Sequence, residues 1–353
     1  MTHLTKTLKA KGMAAFAIGG FMAASLALTP VANAADELPG EGKSVKMARA
    51  TWDTGYFPAE IYRKALQELG YDVGVPNDLQ NPIFYQAVGL GDVDLWVNGW
   101  FPGHGSYRDA FEPGAELVGY VAKGGALQGY LVDKKTADEL NIKSFEDFKR
   151  PEVKEAYDSN GNGLAEMVAC PPGWGCEIAI QHHFKEYGLE GNVELIKASY
   201  SASMADAIAK YENGEPIFFY TWTPNWVVDE LKPGEDVVWI EVPFLTLPEE
   251  QADDISKAEV ADVVGCVSNP CKMGHTANDI RPVANTEFLE DNPAVRRLLE
   301  VASVPLADIN AQNAKMFAGE DSQEDVERHV NEWISANQET FDSWIEQAKA
   351  AAM

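Results

Sequence analysis

Apolar residues recur along this chain in two rhythms, one of period two and one near period 3.6, and their alternation predicts the architecture. Ser44–Thr51 alternates closely enough for a strand, Pro58–Leu69 has helical spacing closed by Gly70, and Tyr71–Val75 is a short second strand. Pro82–Leu90 follows as a helix and Leu95–Asn98 as a buried strand. The opening stretch is therefore β-α-β-α-β, the order of a sheet with crossover helices. A second series has strands at Leu117–Val121 and Gln128–Val132, then helices at Ala137–Leu140 and Ser144–Tyr157. A helix at Glu177–Tyr187, a strand at Val193–Ile196, a helix at Ser203–Glu212 and a strand at Ile217–Tyr220 complete it. Val237–Phe244 leads out of this unit, Leu245–His275 is acidic and bears cysteines, and helices at Pro293–Ala302, Asp321–Ala336 and Gln338–Ala352 close the chain.

Two architectures fit this α/β order: two separate units, or a discontinuous pair joined by crossings near Gln128–Val132 and Val237–Phe244. The second accounts for more. It assigns residues 35–130 and 243–353 to one lobe, with an acidic insertion at 249–275, and residues 131–242 to the other. Binding residues in α/β folds gather where strands end and helices begin. Trp52 and Trp100 then stand on one lobe and Trp174 and Trp222 on the other, facing a cleft that a hinge closes.

Composition narrows the partners. The chain has 353 residues, 28 Lys and Arg against 55 Asp and Glu, and a formal net charge of −27. Nucleic acid and anionic lipid are poor partners for such a surface, and a small cation or zwitterion is a better one. Residues 1–34 have the form of a secretory signal peptide: Lys6, Lys9 and Lys11 precede an apolar run from Met13 to Leu28, and Ala32-Asn33-Ala34 supplies the small-residue cleavage pattern. The expected mature protein is exported and still more acidic, since the leader carries three lysines and no acid. The cysteines form two close pairs, Cys170 with Cys176 and Cys266 with Cys271. Export favours disulfides between neighbours, whereas a zinc site requires the two pairs to meet in space.

The stretch Cys170-Pro171-Pro172-Gly173-Trp174-Gly175-Cys176-Glu177 concentrates the chemistry. Prolines fix φ, glycines admit close approach, and a helix beginning here sets the amides of Gly175 and Cys176 at its positive end. Of the nine tryptophans, Trp96, Trp239, Trp333 and Trp344 lie inside strands or helices and fit core packing, while Trp226 is undecided. Trp52, Trp100, Trp174 and Trp222 all fall in glycine- or proline-containing junctions, where a large ring is unusual as mere filling. A trimethylated nitrogen cannot donate a hydrogen bond, so a site must read it by aromatic faces and shape. Such contacts are worth about 0.5–2 kcal/mol each, and three or four rings offer roughly 6–8 kcal/mol before the cost of binding.

These motifs resemble a family. Trp100-Phe101-Pro102-Gly103-His104, the Gly-Trp-Gly-Cys centre and Tyr220-Thr221-Trp222-Thr223-Pro224 with Trp226 look like the ProX-type substrate-binding proteins of ABC importers for glycine betaine and proline betaine. Gly129-Tyr130, Asp133–Asp138 and Ala307–Ala314 extend the resemblance over most of the chain. It implies a type II periplasmic binding protein, two α/β lobes with a two-crossing hinge, and an osmolyte caged in the cleft. Trp100, Trp174 and Trp222 would form the cage, and His104 with the amides of Gly175 and Cys176 would meet the ligand's anionic end. The implied partners are the osmolyte and an inner-membrane ABC permease, with no nucleic acid and no required cofactor; the protein is expected to be a monomer.

Two features depart from the betaine binders, Trp52 and the segment holding Cys266 and Cys271, and both resemble the trimethylamine N-oxide-binding branch, TmoX. That branch has a four-tryptophan box, and Glu155 matches an acid implicated there in binding. Trimethylamine N-oxide is accordingly the expected ligand and a betaine the alternative. Structural calcium has two candidate sites: Asp158, Asn160, Asn162 and Glu166, which match the start of a calcium loop but end in Ala169 where a bidentate Glu belongs, or Asp253, Asp254, Glu259 and Asp262. An enzyme is the distant alternative: His182-His183 with Glu186 lacks the metalloprotease order, and no nucleophile elbow, phosphate loop or dinucleotide glycine set is present.

Overall fold

The long strand β5 (Ala122–Asp133) is the shared spine of the fold, and the other elements are best placed by their relation to it. The computed structural model describes residues Leu38–Met353, so the expected signal peptide at 1–34 lies outside the described residues. In chain order β1 (Ala48–Ala50), α1 (Tyr56–Glu68), β2 (Asn77–Leu79), α2 (Asn81–Leu90), β3 (Leu95–Phe101), α3 (Arg108–Phe111) and β4 (Ala115–Leu117) precede it. The chain continues through α4 (Lys134–Leu140), α5 (Pro151–Tyr157), β6 (Ala165–Val168), α6 (Gly175–Glu186), β7 (Val193–Ile196), α7 (Tyr200–Glu212), β8 (Phe218–Thr223), α8 (Val227–Glu230) and β9 (Val237–Ile240). A small hairpin, β10 (Glu259–Val260) with β11 (Cys271–Lys272), leads to β12 (Asn278–Asn285) and the helices α9 (Thr286–Asp291), α10 (Pro293–Val301), α11 (Leu306–Phe317), α12 (Gln323–Ala336) and α13 (Gln338–Ala351).

The principal sheet runs β3-β12-β5-β8-β6-β7, with β4 beside β12 and β9 beside β5. The first part of β5 pairs antiparallel with β12, Ala122 opposite Ile280 and Ala126 opposite Asn278. From Leu127 onward it pairs instead with β8, and over its last residues with β9. One ribbon therefore belongs to two groups of strands, which is the first crossing. After β9 the chain leaves along Val242–Phe244 and returns as a 3-10 helix at Glu249–Ala258, where Gln251 donates to the Ser106 hydroxyl of the first group. This is the mixed α/β, two-lobed arrangement expected from the sequence.

Local chemistry explains the main elements. Every residue of β3 is buried, as befits a strand covered on both faces. Helix α2 has Pro82 in its first turn and ends on Gly91 at φ +78°, while Ser322 and Asp325 form a capping box on α12. The core tryptophans behave as expected: Trp96 stacks on Phe84 at 3.9 Å, Trp239 and Trp344 are buried, and Trp333 is half-buried with its N–H donated to Asp308.

Three expectations are corrected. The strand at Tyr71–Val75 is reduced to a single bridge, Asp72 with Ser44, and the pairing moves past Pro76 to β2. The helix expected over Ser144–Tyr157 is broken into a 3-10 turn, Phe145–Lys149, and α5, because Pro151 lacks an N–H and bars a helical Arg150. The strand expected over Leu117–Val121 is absent there, because β4 ends at Leu117 and β5 begins at Ala122. The sequence pattern also gives no sign of the central strand β12.

Candidate functional site

Trp52 lies where β1 gives way to a 3-10 turn, Asp53–Gly55, and Trp100 near the end of β3. Trp174 precedes α6, and Trp222 stands near the end of β8. All four line one cavity. Ring centroids of Trp52 and Trp174 lie 5.6 Å apart and those of Trp174 and Trp222 5.5 Å apart, inclined at 64° and 80°, like adjoining walls of a box. Trp226, undecided from sequence, stays outside it and stacks on Phe317 at 3.9 Å.

The rings are oriented by their N–H groups. Trp52 and Trp100 both donate to Asn98 Oδ1, at 2.8 and 2.9 Å. Trp174 donates to Thr51 Oγ1 at 2.9 Å and Trp222 to Thr54 Oγ1 at 2.8 Å. Every polar edge is thus engaged by protein, leaving ring faces for the cavity.

The loop before α6 is closed by a disulfide between Cys170 and Cys176, and a second joins Cys266 and Cys271, so the zinc alternative falls. Gly173 has φ +86°, and a Cβ there would lie 2.6 Å from Gln80. At Gly175 a Cβ would lie 2.7 Å from the His104 ring, so only glycine lets this loop close on that ring. The amides of Gly175 and Cys176 are the first two of α6, positions with no intrahelical acceptor, and both residues line the cavity.

His104 also lines the cavity, but its nitrogens are occupied. Nδ1 accepts from the backbone amide of Trp100 at 3.2 Å and from the Tyr85 hydroxyl at 2.7 Å, which leaves the ring proton on Nε2. Asn81 stands 3.0 Å from Nε2, and turning its carboxamide oxygen to that proton pairs an oxygen otherwise without a partner. Burial pushes the His104 pKa down to about 3, so the ring is neutral. Its place is behind Gly175 as an uncharged wall.

Two lining residues escaped the sequence reading, Gln128 and Tyr220, and the Tyr220 hydroxyl donates to Gln128 Oε1 at 2.6 Å. The signal for Tyr220 was present: it lies two residues before Trp222, hence on the same face of β8. Gln128 is a polar residue in an apolar crossing strand, a weaker clue.

Glu155 is a correction. It is exposed and does not line the cavity. Helix α5 buries Val153 and Tyr157, one turn apart, so the residue midway between them points away. The residues singled out for calcium are either engaged by other protein groups or exposed. Asp158 accepts from the amides of Gly161, Asn162 and Gly163 at 2.7–3.0 Å, Asn160 accepts from the Asn162 amide, and Asn162 binds Glu194. Glu166 pairs with Lys210, Asp254 with Lys257, and Asp262 with Asn269, while Asp253 and Glu259 are exposed. Among the described residues no group of three or more His, Cys, Asp or Glu side chains is placed to hold a metal ion. Of the histidine pair, His183 is buried with its Nδ1 on the Tyr130 hydroxyl, and His182 meets Thr246, both away from the box.

A tryptophan-walled cleft between two α/β lobes defines the class, a bilobed solute-binding fold. Solved structures agree on the fold: lactococcal OpuAC, closed with glycine betaine, has a TM-score of 0.65 at 19% identity over 86% of this chain and 99% of that one. An ABC-transporter choline-binding protein in complex with choline gives 0.67 at 18% over 88% and 96%. The family follows from sequence: residues 43–336 match the substrate-binding domain of ABC-type glycine betaine transport systems, and the chain belongs to that family. It is 41% identical to the glycine betaine-binding periplasmic protein OusX of Dickeya dadantii, over 93% of this chain and 98% of the relative. It is 40% identical to the glycine betaine/proline betaine-binding periplasmic protein of Salmonella typhimurium over 94% and 98%, and 39% identical to that of Escherichia coli over 90% and 93%.

Proposed function

We propose that the chain is the solute-binding component of an ABC importer, a monomer that takes a small quaternary-ammonium osmolyte between its lobes and hands it to a membrane permease. One observation carries this reading: four indole rings line a single cavity with every ring N–H bonded elsewhere. Such a surface suits a charge hidden under methyl groups, which takes attraction from ring faces and gives no hydrogen bond. The lobes are residues 35–130 with 243–353, and residues 131–242. The site needs no cofactor, and export to the periplasm agrees with the names of the relatives.

Glycine betaine or proline betaine is the better-supported ligand, because relatives near 40% identity carry those names. The free amides of Gly175 and Cys176 beside the box offer donors for a carboxylate. Trimethylamine N-oxide, the ligand expected from sequence, keeps one supporting observation, that Trp52 is a wall of the same cavity. The part assigned to Glu155 in that reading is withdrawn.

Calorimetry with glycine betaine, proline betaine and trimethylamine N-oxide against wild type and Trp52→Ala is the test. We expect wild type to bind a betaine near the micromolar range and Trp52→Ala to bind it at least tenfold more weakly, the loss of one desolvated ring at about 2 kcal/mol. No heat with any of the three ligands would remove the reading. Unchanged N-oxide binding in the variant would remove the argument for that ligand.

A further inference from the structure

We propose that the turn Thr51–Thr54 is the latch that holds the lobes closed, and that the tryptophans caging the ligand with their faces engage it with their indole N–H edges. The inference rests on the ligand-cleft reading above and assigns the residues that keep the ligand in.

Three indole donors from the β6–β8 side of the cleft converge on this turn, which belongs to the β1–β3 side. Trp174 donates to Thr51 Oγ1 at 2.9 Å, Trp222 to Thr54 Oγ1 at 2.8 Å, and Trp226 to Asp53 Oδ2 at 3.0 Å. The partners are 123, 168 and 173 residues apart in sequence. Two more bonds follow the same route: the Thr54 hydroxyl donates to the Pro224 carbonyl at 3.0 Å, and the Ser201 hydroxyl donates to Asp53 Oδ2 at 3.4 Å. The remaining member of the turn is Trp52, itself a wall of the cavity.

The energetics assign these bonds to closure rather than to the stability of either lobe. With the lobes apart, water serves each indole N–H and each hydroxyl, and nothing is lost. With the lobes together Thr54 is fully buried and Trp222 nearly so, and a donor without its acceptor then bears the whole cost of desolvation. A ligand that draws Trp174 and Trp222 to its methyl groups brings their N–H groups onto the turn, and an engaged turn fixes those rings against the ligand. Each event favours the other by the same factor. Thr51, Asp53 and Thr54 touch no ligand in this scheme; they are positioning residues.

The test is stopped-flow tryptophan fluorescence and calorimetry with glycine betaine and trimethylamine N-oxide as probes. Thr54→Val keeps the shape and removes both the acceptor and the donor; Thr54→Ser restores them. We expect Thr54→Val to release the probe about tenfold faster, with association within about twofold and an unchanged melting temperature in ligand-free protein. Thr54→Ser should recover most of the slow release. Asp53→Ala, at a half-buried position, reads the same effect should the buried Thr54→Val fail to fold. Release as slow as wild type in the folded variants overturns the latch, as does a loss confined to ligand-free stability. Wild type binding neither probe removes the cleft reading itself, so the two failures are distinguishable.

Discussion

Two residues show how the cleft treats charge. His104 and Glu155 were both assigned to the ligand from sequence; one is buried at the wall and neutral, the other is out in solvent. Glu155→Gln is therefore expected to shift ligand affinity by less than twofold in calorimetry. Burial lowers His104 and His183 to pKa values of about 3 and holds His275 well below its usual range. In the unfolded chain all three titrate near 6.5. The folded state thus binds fewer protons between those limits, and stability is complete above about pH 6.5 and falls as the pH drops towards 3. Each histidine contributes a slope of up to about 1.4 kcal/mol per pH unit. Thermal unfolding from pH 7 to 4 should show this decline, and His183→Gln should flatten it by about a third, provided the variant folds.

Among the elements, the loop Cys170–Cys176 has its ends fixed twice, by the disulfide and by the start of α6. Removing the bridge with Cys170→Ser and Cys176→Ser should cost about 2 kcal/mol by loop entropy. Urea unfolding measures that loss, and calorimetry should show weaker binding besides, because Trp174 and the two amides are no longer preset. Elements that a local pattern defines were legible: α1, α2, β3, β7, α7, α12 and α13 all stand within a few residues of their expected places. β12 was not. Its sequence, with Arg281 and Pro282 amid the apolar residues, does not look like a central strand. The structure accommodates Pro282 at a shift of register between Arg281 and Val283, and the strand's partners, β3, β4 and β5, are all remote in sequence. Long-range pairing leaves no local trace. The four wall tryptophans were legible because junctions rich in glycine and proline rarely carry rings as filling, whereas Gln128 and Tyr220 sit in ordinary strand positions.

At the scale of the molecule, β5 joins two groups of strands in one continuous ribbon, and the proposed function requires them to close about it. Small-angle scattering should register a smaller radius of gyration on adding a saturating betaine, and a constant radius would argue against lobe closure. Asp158, Glu166, Asp254 and Asp262 spend their oxygens on backbone amides, lysines and an asparagine, and Asp253 and Glu259 are exposed. A chelator is therefore expected to leave both melting temperature and ligand affinity unchanged. Asn98 adds a consequence of another kind. Its single carbonyl oxygen fixes two walls at once, so a substitution there re-aims Trp52 and Trp100 together without altering either ring. A lineage could retune its choice of cargo in one mutational step, at a site outside any comparison confined to the residues that touch the cargo.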